Sequence, residues 1–181
     1  TRSGLIEFDQ YWQGGEAMGN ALILDLSSGD WHPLICVKSS LGCEQLVELY
    51  RNARAMLVNP ITDGLNLTAK ESVQAQRDKD PGVLFLSSGA GAFVELGEHC
   101  VAIKPQDTLS MAAALHHGLR LSKEEREERM HAMKTMVERD NLNSWWDYFA
   151  AITDQLSAGS SEVVQLNTKS KRQPVAIRIG A

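Results

Sequence analysis

The residues whose types and spacing best suit chemistry lie in the run Asn59-Pro60-Ile61-Thr62-Asp63-Gly64-Leu65-Asn66-Leu67-Thr68-Ala69-Lys70-Glu71. An apolar stretch ends at Val58, Pro60 and Gly64 force a tight loop, and a helix is expected from about Leu67. The first N–H groups of a helix have no partner within it and lie at the positive end of its dipole, so this helix start suits a phosphate or diphosphate. Gly64 leaves the backbone bare where an anion must come close. Asp63, just ahead of that point, suits sugar hydroxyls, and Glu71, about one turn into the helix, suits a ribose diol. Charge-assisted bonds of this kind contribute about 1.5–3 kcal/mol each. The same pattern also describes an ordinary strand-to-helix turn with Asp63 or Asn66 as a plain helix cap. A second small-residue loop, Ser87-Ser88-Gly89-Ala90-Gly91-Ala92, favours the first reading, since two such loops on neighbouring strand ends make a crevice wide enough for a nucleotide.

Loops of this kind need a sheet to hold them. Short runs rich in branched residues alternate with segments of helical period, the pattern of a parallel sheet covered by helices. Strands are expected over 21–26, 34–37, 55–58, 83–86 and 100–103, and helices over 44–53, 67–76, 92–96 and 108–119. Ligands of such sheets bind where strands run into helices. Ser122 with Glu125 forms a capping box opening a charged helix over 123–139. Ser144 with Asp147 is expected to cap a last helix carrying Trp145, Trp146, Tyr148, Phe149 and Ile152, more suited to core or interdomain packing than to a sugar platform. The expected organisation is one donor-type domain over 1–156, including a clasp helix over 144–156, then a mobile tail or edge strand over 157–181.

Composition narrows the partners. Of 181 residues 43% are hydrophobic, enough for one good core, and 18 Lys plus Arg face 23 Asp plus Glu for a net charge of -5. With no long basic stretch, nucleic acid is not expected as a partner. No apolar run reaches the roughly 18 residues that cross a bilayer, so a soluble, cytoplasmic protein without membrane contact is expected. Three cysteines without a C-x-x-C pair suit neither a disulfide framework nor zinc, and Cys36 and Cys100, inside apolar runs, are expected to be buried. Asp78-Lys79-Asp80 has the D-x-D spacing of a divalent-metal clamp, but it precedes a strand, at the end of the sheet away from the crevice. His116-His117 near a helix end is expected as a dipole partner, and Glu95 as a surface or capping carboxylate.

The combination of Leu57-Val58-Asn59-Pro60, Asp63-Gly64-Leu65-Asn66-Leu67, Ala69-Lys70-Glu71, Pro81-Gly82-Val83-Leu84 and Ala90-Gly91-Ala92 resembles the trehalose-6-phosphate synthase family of retaining glycosyltransferases. Asp30-Trp31-His32-Pro33 and Trp145-Trp146 with Phe149 support it, and the similarity runs over about residues 30–155. The resemblance implies the C-terminal, nucleotide-sugar-binding half of a GT-B fold: an α/β, Rossmann-like doubly wound parallel sheet with C-terminal helices. It implies that Asp63 binds the donor sugar, that Gly64, Leu65 and the amides of Asn66 and Leu67 meet the diphosphate, that Glu71 binds the ribose, and that Leu41 and Leu46 line the nucleobase pocket. The donor is then a UDP- or GDP-linked hexose, the acceptor a phosphorylated sugar or cyclitol, and neither a metal nor a separate cofactor is expected. Thr62 stands where the family usually has Arg, and Ser88-Gly89 replaces bulkier residues. The family's cationic pair and its N-terminal acceptor-binding domain lie upstream of this chain, so no catalytic residue is assigned here and this chain alone is not expected to catalyse transfer. Two alternatives remain: a pseudo-glycosyltransferase joining a nucleotide-cyclitol to an aminocyclitol phosphate, and a non-catalytic nucleotide-binding module.

Overall fold

The computed structural model describes residues 6–37 and 39–157, which fall into two compact units, Thr1–Gln45 and Leu46–Ala181. The first unit holds the helix α1 (Ile6–Leu26), 21 residues long. Ala21–Leu26, expected as a strand, is its last part. A short run of Ala, Leu and Ile reads equally as buried strand or helix, and here it continues the helix begun by the residues before it. Leu34–Val37, also expected as a strand, pairs with nothing among the described residues. Without a strand to bury it, Cys36 is exposed rather than buried. The helix α2 (Cys43–Asn52) starts in the first unit and continues into the second.

The second unit carries the sheet. Strands β1 (Ala55–Val58), β2 (Val83–Ser87) and β3 (Val101–Ile103) are parallel in the order β1-β2-β3, joined through the helices α3 (Leu67–Ala75) and α4 (Phe93–Leu96). The register pairs Ala55 with Val83 and Val58 with Leu86 on one side of β2, and Phe85 with Val101 on the other. Every residue of β2 is buried, which is why its sequence, Val-Leu-Phe-Leu-Ser, shows no polar alternation. Its side chains still alternate between two cores. Leu84 and Leu86 meet Met56, Val73, Leu96, Met130 and Met133 on one face, whereas Val83 and Phe85 meet Ile103 and Leu121 on the other.

The remaining helices complete both layers: α5 (Thr108–Gly118) against β3, and α6 (Lys123–Arg139) against α3 and α4. The expected capping box closes as drawn, with Glu125 N–H donating to Ser122 Oγ at 3.2 Å and Ser122 N–H to Glu125 Oε2 at 3.0 Å. The helix α7 (Leu142–Ser157) starts two residues before Ser144. Its cap is Asn141, whose Oδ1 accepts the Asn143 and Ser144 amides at 2.8 and 3.1 Å, in place of the Ser144–Asp147 cap expected from sequence. Trp145 and Phe149 stack at 5.5 Å, yet Trp145, Trp146 and Phe149 are exposed and form no part of the described core. Among the described residues no helix is long and apolar enough to cross a membrane. The expected tail, apart from Ser157, lies outside the described residues.

Candidate functional site

The loop from β1 to α3 is built around Asp63. Its backbone is tied to the loop leaving β2: Asp63 N–H donates to Gly89 O at 3.1 Å, and Gly91 N–H donates to Asp63 O at 2.7 Å. The two make a parallel bridge between Asp63 and Ala90. A Cβ added at Gly89 would strike the Ile61 carbonyl, and one at Gly91 the Gly64 carbonyl. These glycines let two backbones touch, so the loops are laced into one surface and do not stand apart as the walls of a crevice. Ser87, fully buried, holds the second loop from below by accepting Gly89 N–H at 3.0 Å.

The Asp63 side chain is held as firmly. Its Oδ1 accepts the Leu65 and Asn66 amides, each at 3.2 Å, and its Oδ2 accepts the Asn66 side-chain amide at 3.0 Å. The Asn66 N–H, expected to face a diphosphate, is therefore spent on Asp63. Asn66 adopts the left-handed conformation (φ 59°, ψ 71°), and its Oδ1 caps α3 by accepting Ala69 N–H at 3.0 Å. Asparagine suits both tasks, since it tolerates that backbone and has a short acceptor. Among the described residues the amides of Leu67 and Thr68, next in line at the helix start, have no protein acceptor. Gly64 differs from the two packing glycines: a Cβ there meets nothing within 4 Å, and its φ is not left-handed.

The other expected residues lie around this loop or apart from it. Glu71 is exposed on α3. It is close enough to Tyr50 on α2 that burial first, and then the Glu71 carboxylate, push the Tyr50 phenol above its ordinary range. Leu46 is half-buried one turn before Tyr50, and the buried Gln76 ties α2 to α3 by donating from Nε2 to the Tyr50 and Ala53 carbonyls. Leu41, also half-buried, belongs to the first unit. Sequence reasoning missed the pairing of Lys70 with Glu95 at 2.6 Å, both largely shielded, which locks α3 to α4 beneath the second loop. With 24 residues between them, no local pattern announces it.

Asp78 and Asp80 make ion pairs. Lys134 Nζ lies 2.6 Å from Asp78, and Arg126 Nη2 2.5 Å from Asp80. The Lys134 hydrogen bond holds the Asp78 carboxyl below its ordinary range, and the Arg126 hydrogen bond does the same for Asp80. They are struts between the entry to β2 and α6. His116 lies 3.0 Å from Arg120 Nη1 in the last turn of α5, away from the site loop in sequence and element.

A parallel sheet covered on both faces, with a glycine-bearing loop leading from a strand into an open helix start beside a fixed carboxylate, defines a Rossmann-like α/β domain. A sequence model of glycosyltransferase family 20 matches residues 25–154. The trehalose-6-phosphate synthase of Cronobacter sakazakii is 36% identical over 132 residues, covering 73% of this chain and 28% of that protein. A structure of the Escherichia coli protein bound with UDP-2-fluoro glucose superposes with a TM-score of 0.81 at 30% identity, over 86% of this chain and 34% of that one. The UDP-forming α,α-trehalose-phosphate synthase of Burkholderia xenovorans in complex with glucose-6-phosphate gives 0.80 at 31% identity, over 85% and 34%. The chain belongs to glycosyltransferase family 20, and it spans under a third of the length of the Cronobacter relative.

Proposed function

We propose that this chain is the C-terminal, donor-holding part of a retaining glycosyltransferase that moves a hexose from a UDP- or GDP-linked donor to a phosphorylated acceptor, as a trehalose-6-phosphate synthase does. The observation that carries this reading is Gly64, a glycine that neither the backbone conformation nor the packing requires, standing beside amides of Leu67 and Thr68 that have no partner among the described residues. A bare position next to an open helix start is explained by a ligand that comes close to the backbone. In this reading the diphosphate rests on the Leu67 and Thr68 amides, Asp63 accepts the sugar hydroxyls, Glu71 the ribose diol, and Leu46 faces the nucleobase. Aligned amide dipoles stabilise the charge that gathers on the departing diphosphate. No covalent protein intermediate, metal or separate cofactor is invoked. The acceptor, a phosphorylated sugar, is held by a domain corresponding to the part of the relatives that this chain does not span. The reading extends to a cytoplasmic place of work, because the donor is a charged nucleotide that does not cross membranes unaided.

Calorimetric titration of the 181-residue chain with UDP tests the assignment. Glu71→Ala removes a charge-assisted bond to the ribose and is expected to weaken UDP by about tenfold or more. Equal affinity for UDP in the two proteins removes Glu71 from the site, and no binding of UDP, or of GDP in a parallel titration, by either removes the donor-holding reading.

A further inference from the structure

Asn66 is assigned above only as a helix cap, but its side chain spans two places. Its Oδ1 takes the Ala69 amide in the first turn of α3, while its Nδ2 donates to Asp63 Oδ2, both at 3.0 Å. We infer that Asn66 is the positioning residue that fixes the Asp63 carboxylate at a set offset from the start of α3, so that sugar and diphosphate are gripped as one rigid object. This deepens the donor-holding reading and rests on it.

The geometry singles out that amide. Oδ1 of Asp63 is held by two backbone donors at 3.2 Å, the longer bonds of the set, whereas Oδ2 has only the Asn66 side chain. A carboxylate offers about four acceptor sites. Three are filled from within the loop, so a sugar hydroxyl meets an oxygen whose orientation is already set. Without Nδ2, only the two longer bonds to Oδ1 resist a turn of the carboxylate plane about its bond to Cβ. The position makes three demands: a residue at ease with φ 59°, an acceptor for Ala69 N–H, and a donor to a carboxylate. Aspartate lacks the donor, serine is too short to reach both partners, and glycine has neither group. Asparagine meets all three.

Two variants of the full chain make the test. Asn66→Ser keeps an acceptor for the helix cap, Asn66→Gly keeps a relaxed left-handed backbone, and what they share is the lost bridge to Asp63. Hydrogen exchange of the Leu65 amide, which donates to the other Asp63 oxygen, reports the carboxylate without any ligand. Calorimetry with UDP and with UDP-glucose reports how far the sugar adds to binding. In both variants Leu65 exchange is expected to quicken by about tenfold, and the preference for UDP-glucose over UDP, read within each variant, to fall by about fivefold or more. A preference that survives in both variants overturns the inference, as does unchanged Leu65 exchange in both. If the unsubstituted chain binds none of UDP, UDP-glucose and GDP, the donor-holding reading fails, and the exchange measurement alone decides whether Asn66 positions Asp63.

Discussion

Gly64→Ala separates a glycine kept for a ligand from one kept for the fold. A Cβ at Gly64 meets nothing within 4 Å and φ is not left-handed, so the folded loop takes alanine without strain. Removing a glycine from the unfolded chain then stabilises by about 0.4–1 kcal/mol. For a chain of this size that raises the melting temperature by about 1–4 °C. Gly91→Ala is the counterpart. Its Cβ would land on the Gly64 carbonyl, with Leu65 Cα at 3.0 Å, and relieving that clash pulls Gly91 N–H off Asp63 O, now at 2.7 Å. Overpacking costs about 1–3 kcal/mol and the hydrogen bond about 1 kcal/mol more, so melting falls by about 5–15 °C. The order reverses for the ligand when Gly64→Ala is titrated with UDP. A methyl group there keeps the diphosphate off the helix start, and losing one charge-assisted bond, about 1.5–3 kcal/mol, weakens UDP at least about tenfold. Scanning calorimetry with UDP titration reads both. A Gly64→Ala protein that melts several degrees lower, or that binds UDP as tightly as before, refutes the reasoning.

Further outcomes follow from the rest of the second unit and from the thiols. Burial pushes the Cys100 thiol up to about 11, whereas Cys36 and Cys43 are exposed, so a thiol-reactive dye at neutral pH is expected to titrate two groups quickly and the third only on unfolding. Asp78 and Asp80 are held below their ordinary range, by the Lys134 and Arg126 hydrogen bonds respectively. Groups depressed on folding stabilise above their unfolded value of about 4, and that stability is lost as the pH falls from there through the lower folded value. The double variant Asp78→Asn, Asp80→Asn is therefore expected to lose less melting temperature than the unsubstituted chain between about pH 5 and 2.5. Arg126, only 6% exposed, also donates to the Pro81 carbonyl. Arg126→Ala strips that bond and the buried stem together, and a urea titration is expected to show a loss of about 2–4 kcal/mol.

What could be read in advance was whatever carried its own signal. The buried strand β2 announces itself as an unbroken apolar run between Gly82 and the small-residue loop, and Ser122 with Glu125 marks the start of α6 to the residue. Where a signal admits two structures, the structure had to decide. Ala21–Leu26 is apolar enough for a strand and follows Gly19-Asn20, both poor helix formers, yet it joins α1. Asn141 and Ser144 are both fair cap residues, and Asn141 takes the role. At the site, the loop, its glycine and the helix start were legible, while the hydrogen bonds that occupy Asp63 were not. Asp63 and Asn66 were weighed as either ligand groups or helix caps. The structure makes Asn66 the cap and ties Asp63 to it, a network that depends on a left-handed backbone no composition rule reports.

The departure from the family at Ser88-Gly89 takes its meaning from distance. With the Ile61 carbonyl so close that a Cβ at Gly89 would strike it, the bulkier residue usual at this place and the present spacing of the loops exclude each other. The two backbone bonds that hold Asp63, at 3.1 and 2.7 Å, depend on that spacing. Gly89 thus leaves the room that the backbone brace of Asp63 needs. Charge points the same way. Thr62 brings none where the family usually has Arg, and Lys70, the cation in the first turns of α3, lies 2.6 Å from Glu95. In the donor-holding reading the loop therefore meets an anion with amide dipoles, equivalent to about half a charge, and not with a free cation of its own. In the donor-holding reading, selectivity at such a site comes from how rigidly Asp63 and the helix start are held relative to each other, and the neutral side chain of Asn66 is the group that joins the two.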